Sequence, residues 1–425
     1  MSPPPSWPLA LRAYGLATRM LTPLAPLILR YRAKRAKEDL GRLGERLGRT
    51  ALSRPAGRLA WLHGASVGEG LALLPLVTAL QVARPDISVL VTCGTVTAAK
   101  VLADRAPSQT LLQFAPLDTP SAVAGFLDHW KPSLGVFVES ELWPNLMRAA
   151  KARGVRLALI SGRLSERSAR RWTYARGALQ SLLGAFDLLM ARDAGAAAVF
   201  AGFGIECREL ADLKFGAPPL PVSEAEFSEC RAALSGRPVL FAASTHAGEE
   251  TIIIAAFRIA IERSGAPALL IIAPRHSDRG EAILILAQGL PAARRGDGGK
   301  LDGVDIYVAD TLGELGLWYR LATIAFIGGS LVPGVGGHNP LEPARLGCPF
   351  VTGPCTDGWP IYRDLVNCGG TRVVNSPETL AEAFCAALDA SDPLAQTTKA
   401  AEAFAARGDL GFQAAAQHIM GLLPL

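Results

Sequence analysis

A carboxylate placed just beyond a buried strand, among apolar neighbours, has the setting of a general base, and Glu69 in HGASVGEG (63–70) stands there. Ser66, three residues earlier, completes the Ser-x-x-Glu pattern of a helix capping box, so proton abstraction and capping weigh equally at Glu69 on local sequence. Gly64, Gly68 and Gly70 permit a tight strand-to-helix turn around it. Two more carboxylates, Glu139 and Glu141, stand two apart in VESELWPNL (138–146). At that spacing they do not share a helix face, so one is free to face a site while the other holds a helix start.

Other motifs have the chemistry of phosphate handling. In ASTHAGEE (243–250), Ser244, Thr245, His246 and Gly248 lie between a strand and a helix, whose unpaired N-terminal amides suit an anion. In APRHSDR (273–279), Arg275, His276 and Arg279 are suited to clamping a phosphate. The stretch GGSLVPGVGGHNPLEPARLGCPFVTGP (328–354) packs seven Gly and five Pro into 27 positions around His338, Asn339 and Glu342. Gly328, Gly329 and Ser330 follow a strand, as a phosphate cradle would. Asn339 reads as a helix cap, Pro340 as the first helical residue, and Glu342 as an acceptor for a ribose diol.

In SGRLSERSARRW (161–172), Arg163, Arg167 and Arg170 or Arg171 recur at three- and four-residue spacing, which gathers them on one helix face. Such a face is commonly just solvated; beside a membrane anchor it also fits an anionic, phospholipid-like substrate. The six histidines are dispersed, with no HxxxH pair and no Asp cluster, and no metal site is expected.

Strands must place these residues at their carboxyl ends. RLAWLH (58–63), ISVLVT (87–92), LGVFV (134–138), RLALI (156–160) and DLLMA (187–191) read as buried strands, and helical spacing fills EGLALLPLVTALQVA (69–83) and ELWPNLMRAAKARG (141–154). After GAPPLPVSEAE (216–226), a stiff proline-rich linker, the alternation restarts with PVLFAAS (238–244), ALLIIAP (268–274), DIYVAD (305–310), TIAFIGG (323–329) and CPFVTG (348–353). At 425 residues the chain exceeds the usual size of one core. The pattern predicts an α/β protein of two Rossmann-like domains facing across a cleft: 38–215, the linker 216–226, and 227–400, with a helix over 401–425 packing back on the first domain.

Half of the residues are hydrophobic and 19% charged, which excludes a mostly disordered chain. The net charge of +5 is concentrated in residues 1–37, where seven cations (Arg12 to Lys37) meet no acid, so the remainder is slightly acidic. No basic stripe with interleaved aromatics follows, which argues against nucleic acid as a partner. Met20–Leu29, ten uncharged residues, is too short to span a bilayer, and no signal-peptide cleavage site follows it. Its basic flanks fit a monotopic anchor on an anionic cytoplasmic leaflet; a helix docked on the protein's own surface is the alternative. The seven scattered cysteines, without CxxC, fit a reducing compartment.

In order along the chain, RLGERLG (42–48), WLHGASVGEG, ESELWPN, GRLSERSARRW, LKF (213–215), ASTHAGEE, APRHSDR, DTLGEL (310–315) and GGSLVPGVGGHNPLEPA resemble the motifs of the 3-deoxy-D-manno-octulosonic acid (Kdo) transferases of lipopolysaccharide synthesis. The resemblance implies a glycosyltransferase B fold, CMP-Kdo as donor substrate, a lipid A precursor as acceptor, inversion at the anomeric carbon, no metal or other cofactor, and residence on the cytoplasmic face of the inner membrane. It implies Glu69 as general base and Glu139 as a second site carboxylate. Arg275 with Gly328, Gly329 and Ser330 would hold the leaving CMP phosphate, and Asn339 and Glu342 the rest of the nucleotide. Ser244, Thr245, His246 and His276 complete the expected donor side; Ser66, Gly68, Arg163, Arg167 and Arg170 form the expected acceptor side. GPCTDGWP (353–360), SGR (161–163) and ADLKF (211–215) depart from the family's pattern. A UDP-N-acetylglucosamine epimerase, a peptidoglycan-type transferase and a non-catalytic nucleotide-sensing module are the alternatives.

Overall fold

The computed structural model describes residues 7–35, 37–216, 220–359, 361–389 and 394–423. The chain divides into two compact units, residues 1–217 with 408–425, and residues 218–407. Residues 217–219 of the expected linker lie outside the described residues, and its last three residues already belong to the helix Glu224–Leu234, capped by Ser223.

The first unit is built on β1 (Arg58–His63), β2 (Ile87–Cys93), β3 (Leu111–Phe114), β4 (Leu134–Val138), β5 (Arg156–Gly162) and β6 (Leu188–Ala191). All pairings are parallel, in the order β3-β2-β1-β4-β5-β6. Helices cover both faces, so the strands are apolar almost throughout rather than alternating. One face packs Trp61 against Phe126 and Phe137, each with ring centroids 5.0 Å apart. The other buries Leu62, Val91 and Val136 with Ala415, Ala416, Ile419 and Leu423 at the end of the chain. The helix that carries most of these last residues spans Ala395–Leu422 and begins before the expected 401.

β3 escapes the sequence reading because Gln113 breaks its apolar run. That residue is buried, with its Oε1 accepting the Trp130 indole N–H at 2.9 Å, so a polar side chain sits in the core without a desolvation penalty left uncompensated.

The N-terminal segment is two helices, Leu9–Leu21 and Ala25–Ala33, joined by a short turn Thr22–Leu24. The first docks on its own unit: Leu11 is buried, and Asn145 Nδ2 donates to Thr18 Oγ1 at 2.9 Å. Leu16 and Met20 on the first helix and Leu27 on the second stay open, exposed by 60%, 73% and 62%. Among the described residues no helix is long and apolar enough to cross a membrane. Just beyond, half-buried Arg46 of the RLGERLG motif lies 3.2 Å from buried Glu38, and Glu45 accepts the Phe114 amide at 2.7 Å, which pins the motif to the end of β3.

The second unit carries β7 (Val239–Thr245), β8 (Leu269–Pro274), β9 (Ala292–Arg294), β10 (Ile306–Val308), β11 (Ile324–Ile327), β12 (Phe350–Thr352) and β13 (Arg372–Val373), again all parallel, ordered β13-β12-β11-β7-β8-β10-β9. The strand order reverses between β1 and β4 in the first sheet and between β7 and β11 in the second. Ligands of open parallel sheets bind beyond the carboxyl ends of strands at such reversals, and the loops that follow these four strands hold most of the residues singled out above.

Candidate active site

In the first unit, Ser66 caps the helix Val67–Ala83 that carries Glu69 in its first turn. The Glu69 amide donates to Ser66 Oγ at 3.3 Å, while Glu69 Oε2 accepts the amides of Ala65 at 2.6 Å and Ser66 at 3.0 Å. The capping box therefore forms, and it occupies one carboxylate oxygen. Among the described residues no donor reaches the other. Burial raises the Glu69 pKa, the Ser66 amide opposes the rise, and Glu141 and Glu139 add to it. Glu69 is both a cap and a carboxylate more basic than usual. Gly64 has no room for a side chain, since a Cβ would lie 2.9 Å from the Glu69 backbone; at Gly68 a Cβ would meet nothing within 4 Å.

Glu139 directly follows β4 with φ +56°, a left-handed conformation that a non-glycine residue adopts at a cost of about 1–3 kcal/mol. Its Oε2 accepts both Nε (2.8 Å) and Nη2 (2.5 Å) of Arg163. This overturns the expectation of an arginine face. Arg163 lies outside the helix Glu166–Trp172, whose cap is Ser165, and it turns to Glu139 instead. Arg167 and Arg170 are on that helix and exposed, with Arg170 3.6 Å from Glu166.

Glu141 does not hold a helix start either, because the next helix, Pro144–Ala152, begins later and without a side-chain cap. Glu141 Oε2 accepts the Trp143 indole N–H at 2.7 Å and lies 3.4 Å from His63 Nε2, a buried nitrogen with no hydrogen-bond partner among the described residues. Burial works against ionisation of Glu141, yet His63 and Trp143 together outweigh it and the pKa falls below the usual value. Sequence reading missed His63 as a site residue; the available signal was a polar side chain ending an otherwise apolar strand.

In the second unit, the glycine cradle is already filled. Glu249, first residue of the helix Glu249–Ser264 and fully buried, accepts the amides of His246 (2.9 Å) and Gly329 (2.7 Å) on Oε2, and those of Ser330 (3.0 Å) and Leu331 (2.9 Å) on Oε1. The Gly328 amide donates to Ala243 O at 2.8 Å, and Ser330 Oγ donates to Ile327 O and accepts the Gly353 amide. The phosphate contacts expected of the Gly328, Gly329 and Ser330 amides are therefore corrected, since each N–H has an internal acceptor. Thr245 is likewise engaged: it donates to buried Glu250, which also takes Arg279 through Nε and Nη2. The helix Glu249–Ser264 itself starts at Gly248 without a side-chain cap, as anticipated for ASTHAGEE, and the two glutamates turn to other partners.

Beside that helix start, the loops leave available a set of rings and the cation Arg275. Ser244 follows the strand's central run with φ +54°. The rings of His246 and His338 stack at 11° with centroids 5.2 Å apart and Nε2 atoms 3.0 Å apart; His276 meets His246 edge-on at 5.9 Å. Burial first, then His246, Arg275 and His276, lowers His338 to about 4, and burial chiefly lowers His246 as well. The two rings are thus uncharged donors and acceptors at neutral pH, and exposed Arg275 brings the positive charge.

Asn339 Oδ1 accepts the Leu341 amide at 3.1 Å and so starts the helix Leu341–Arg345, one residue later than expected; its Nδ2 donates to Glu342 at 3.4 Å. Burial raises Glu342 to about 7 against the pull of Asn339 and Arg345. The tail after Pro354 supports this loop: Cys355 N donates to Ser330 O, Gly358 N to Gly336 O, and Tyr362 Oη to His338 O. Pro360 lies outside the described residues. Among the described residues no three His, Cys, Asp or Glu side chains are grouped to hold a metal ion.

A family model described as 3-deoxy-D-manno-octulosonic-acid transferase (kdotransferase) matches residues 41–217. A probable mitochondrial 3-deoxy-D-manno-octulosonic acid transferase of Arabidopsis thaliana is 36% identical over 359 residues, covering 80% of this chain and 79% of the relative. The 3-deoxy-D-manno-octulosonic acid transferase of Bordetella pertussis is 35% identical over 360 residues, covering 80% and 83%. A solved structure of UDP-GlcNAc 2-epimerase from Neisseria meningitidis bound to UDP-GlcNAc superimposes with a TM-score of 0.53 over 86% of this chain and 99% of that one. At 13% identity that likeness shows a shared fold alone. With relatives this similar over four-fifths of its length, the chain belongs to the 3-deoxy-D-manno-octulosonic acid transferase family.

Proposed function

We propose that the protein transfers Kdo from CMP-Kdo to a hydroxyl of a lipid A precursor, with inversion at the anomeric carbon. Glu69 takes the acceptor hydroxyl's proton as its oxygen attacks the anomeric carbon, and the bond to CMP breaks with its electron pair passing to the phosphate. The observation that carries this reading is the divided carboxylate of Glu69, one oxygen fixed by two amides and the other without a protein donor among the described residues. Fixing one oxygen orients the group without satisfying it, and a raised pKa brings it nearer the optimum for a base at neutral pH.

On the donor side, Arg275 meets the charge that develops on the leaving phosphate, with N–H donors from His246, His276 and His338 in place of the Gly328, Gly329 and Ser330 amides. Asn339 and Glu342 shape the nucleotide pocket, and a carboxyl near its pKa both donates to and accepts from a ribose diol. The exposed apolar side of the helices Leu9–Leu21 and Ala25–Ala33, with the cations around it, lies on the cytoplasmic leaflet of the inner membrane and brings the protein to its lipid acceptor.

The test is to incubate the purified protein with CMP-Kdo and a tetra-acylated lipid A precursor and to read the lipid's mass. A gain of one or more Kdo residues is expected, and their number is read at the same time. Recovery of the acceptor unchanged, with CMP-Kdo intact, contradicts the reading and returns the chain to a nucleotide-sensing role.

A further inference from the structure

A cavity of about 390 Å³ in the first unit lies between the helix Leu9–Leu21 and the loop that follows β4. Ala10 and Tyr14 of the helix line it, with Leu142 and Trp143 of the loop and Trp172 and Ala175 of the segment after β5. Its walls are tied to one buried carboxylate. Asp118 accepts the amides of Asn145 (3.1 Å) and Leu146 (2.8 Å) at the start of the helix that ends the loop, and it also takes the Tyr14 hydroxyl. Asn145 in turn donates to Thr18 of the N-terminal helix, so polar contacts fix the width of the gap.

The lining identifies the occupant. Apart from Tyr14, the polar side chains on the wall are Ser140 and Glu141, and Glu141 is already engaged by the Trp143 indole. The rest is apolar. On the helix, Leu9, Ala13, Leu16 and Met20 recur at four- and three-residue spacing and are exposed, forming one apolar stripe. Ala10 and Tyr14 stand one residue further on than Leu9 and Ala13, so the stripe borders the cavity directly. The segment after β5 adds charge: Arg167 and Arg171 are exposed on the helix Glu166–Trp172, and Tyr174, just beyond it, is 95% exposed. An apolar pocket continuous with an apolar face, with cations beside it, fits a molecule that has an aliphatic tail and an anionic head.

We propose that this cavity takes one acyl chain of the acceptor lipid, drawn in from the membrane-facing stripe of the helix Leu9–Leu21, while Arg167 and Arg171 meet the anionic headgroup. The proposal rests on the reading of a lipid as the acceptor. Ser140 on the cavity wall directly follows Glu139, so a seated chain leads its headgroup to the loop that carries the site carboxylate.

The experiment measures KM in neutral detergent micelles for the wild type, A175F and A10F, with a tetra-acylated lipid A precursor and with the same acceptor carrying shortened acyl chains. Ala10 is exposed, so A10F keeps the fold even where A175F does not. Each methylene kept out of the cavity weakens binding by about fourfold, so a phenyl ring in its place is expected to raise the KM of the tetra-acylated acceptor at least about tenfold. The KM of CMP-Kdo is expected to stay unchanged, and variants and wild type are expected to converge on the shortened acceptor. Transfer with an unmoved acceptor KM in both variants overturns this proposal alone, as does an equal rise for the shortened acceptor. Weaker sedimentation of both variants with phosphatidylglycerol vesicles, at an unmoved acceptor KM, assigns the cavity to a membrane phospholipid and overturns it too. A wild type that transfers no Kdo overturns the lipid-acceptor reading and this proposal with it.

Discussion

Glu249 Oε2 accepts the backbone amide of Gly329 at 2.7 Å. A side chain eighty residues away in sequence thus fills the anion cradle that the glycine composition offers, and three further amides complete its shell. The loop after β11 is fixed by an internal anion, so the Gly329 and Ser330 amides are already taken.

Glu249→Ala leaves four amides to find other acceptors. Each unpaired buried N–H costs about 1–3 kcal/mol, and water entering the gap recovers part of that, so a net loss of at least about 2 kcal/mol is expected in urea unfolding. Glu249→Gln, which keeps one acceptor oxygen and the shape, loses less. A midpoint unchanged in the alanine variant contradicts a structural role for this carboxylate.

Two donor-side groups give opposite pH dependences. His338 sits at about 4 in the fold against 6.5 when free, so the unfolded chain takes up the proton first as pH falls, and stability is lost between 6.5 and 4. Glu342 sits at about 7 against 4.5, so the fold holds a proton that the unfolded chain releases; this contribution is present at low pH and lost as pH rises through 7. In the wild type the two slopes oppose each other. Relative to it, His338→Asn should lose stability as pH rises from about 4.5 to 7, and Glu342→Gln should gain it. Melting temperatures across that window check both signs, and parallel curves for the three proteins contradict them.

Membrane attachment is best tested without deleting residues 1–37, because Leu11 and Thr18 are part of the first unit's packing. Replacing Leu16, Met20 and Leu27 by Ser removes exposed apolar surface only. Large apolar side chains contribute about 1.5–3 kcal/mol each when fully buried, so partition to phosphatidylglycerol vesicles should fall by at least about tenfold. Equal sedimentation of wild type and variant contradicts the anchor.

Local patterns were legible where local forces decide. RLAWLH and ALLIIAP are strands because both sheet faces are covered, and Ser66 with Glu69 forms its box because the partners are three residues apart. What stayed hidden depends on distant partners. Gln113 interrupts β3 and is reconciled only by Trp130; β13 is two exposed residues with no apolar run to reveal it. Arg163 has helical spacing to Arg167, yet Ser165 starts the helix after it and Glu139 claims the side chain. Gly329 and Ser330 have the composition of a phosphate loop, and only the fold brings Glu249 to them.

The central claim is that Glu69 removes the acceptor proton, and one comparison isolates it from capping. Glu69→Gln retains an oxygen for the Ala65 and Ser66 amides but cannot accept a proton, whereas Ser66→Ala removes the cap at about 1 kcal/mol of stability and leaves the carboxylate. Initial rates of Kdo transfer, measured beside CMP affinity, should fall by about 10²–10⁴-fold in Glu69→Gln with CMP binding intact, and by far less in Ser66→Ala. Near-normal transfer by Glu69→Gln would show that this carboxylate only caps its helix.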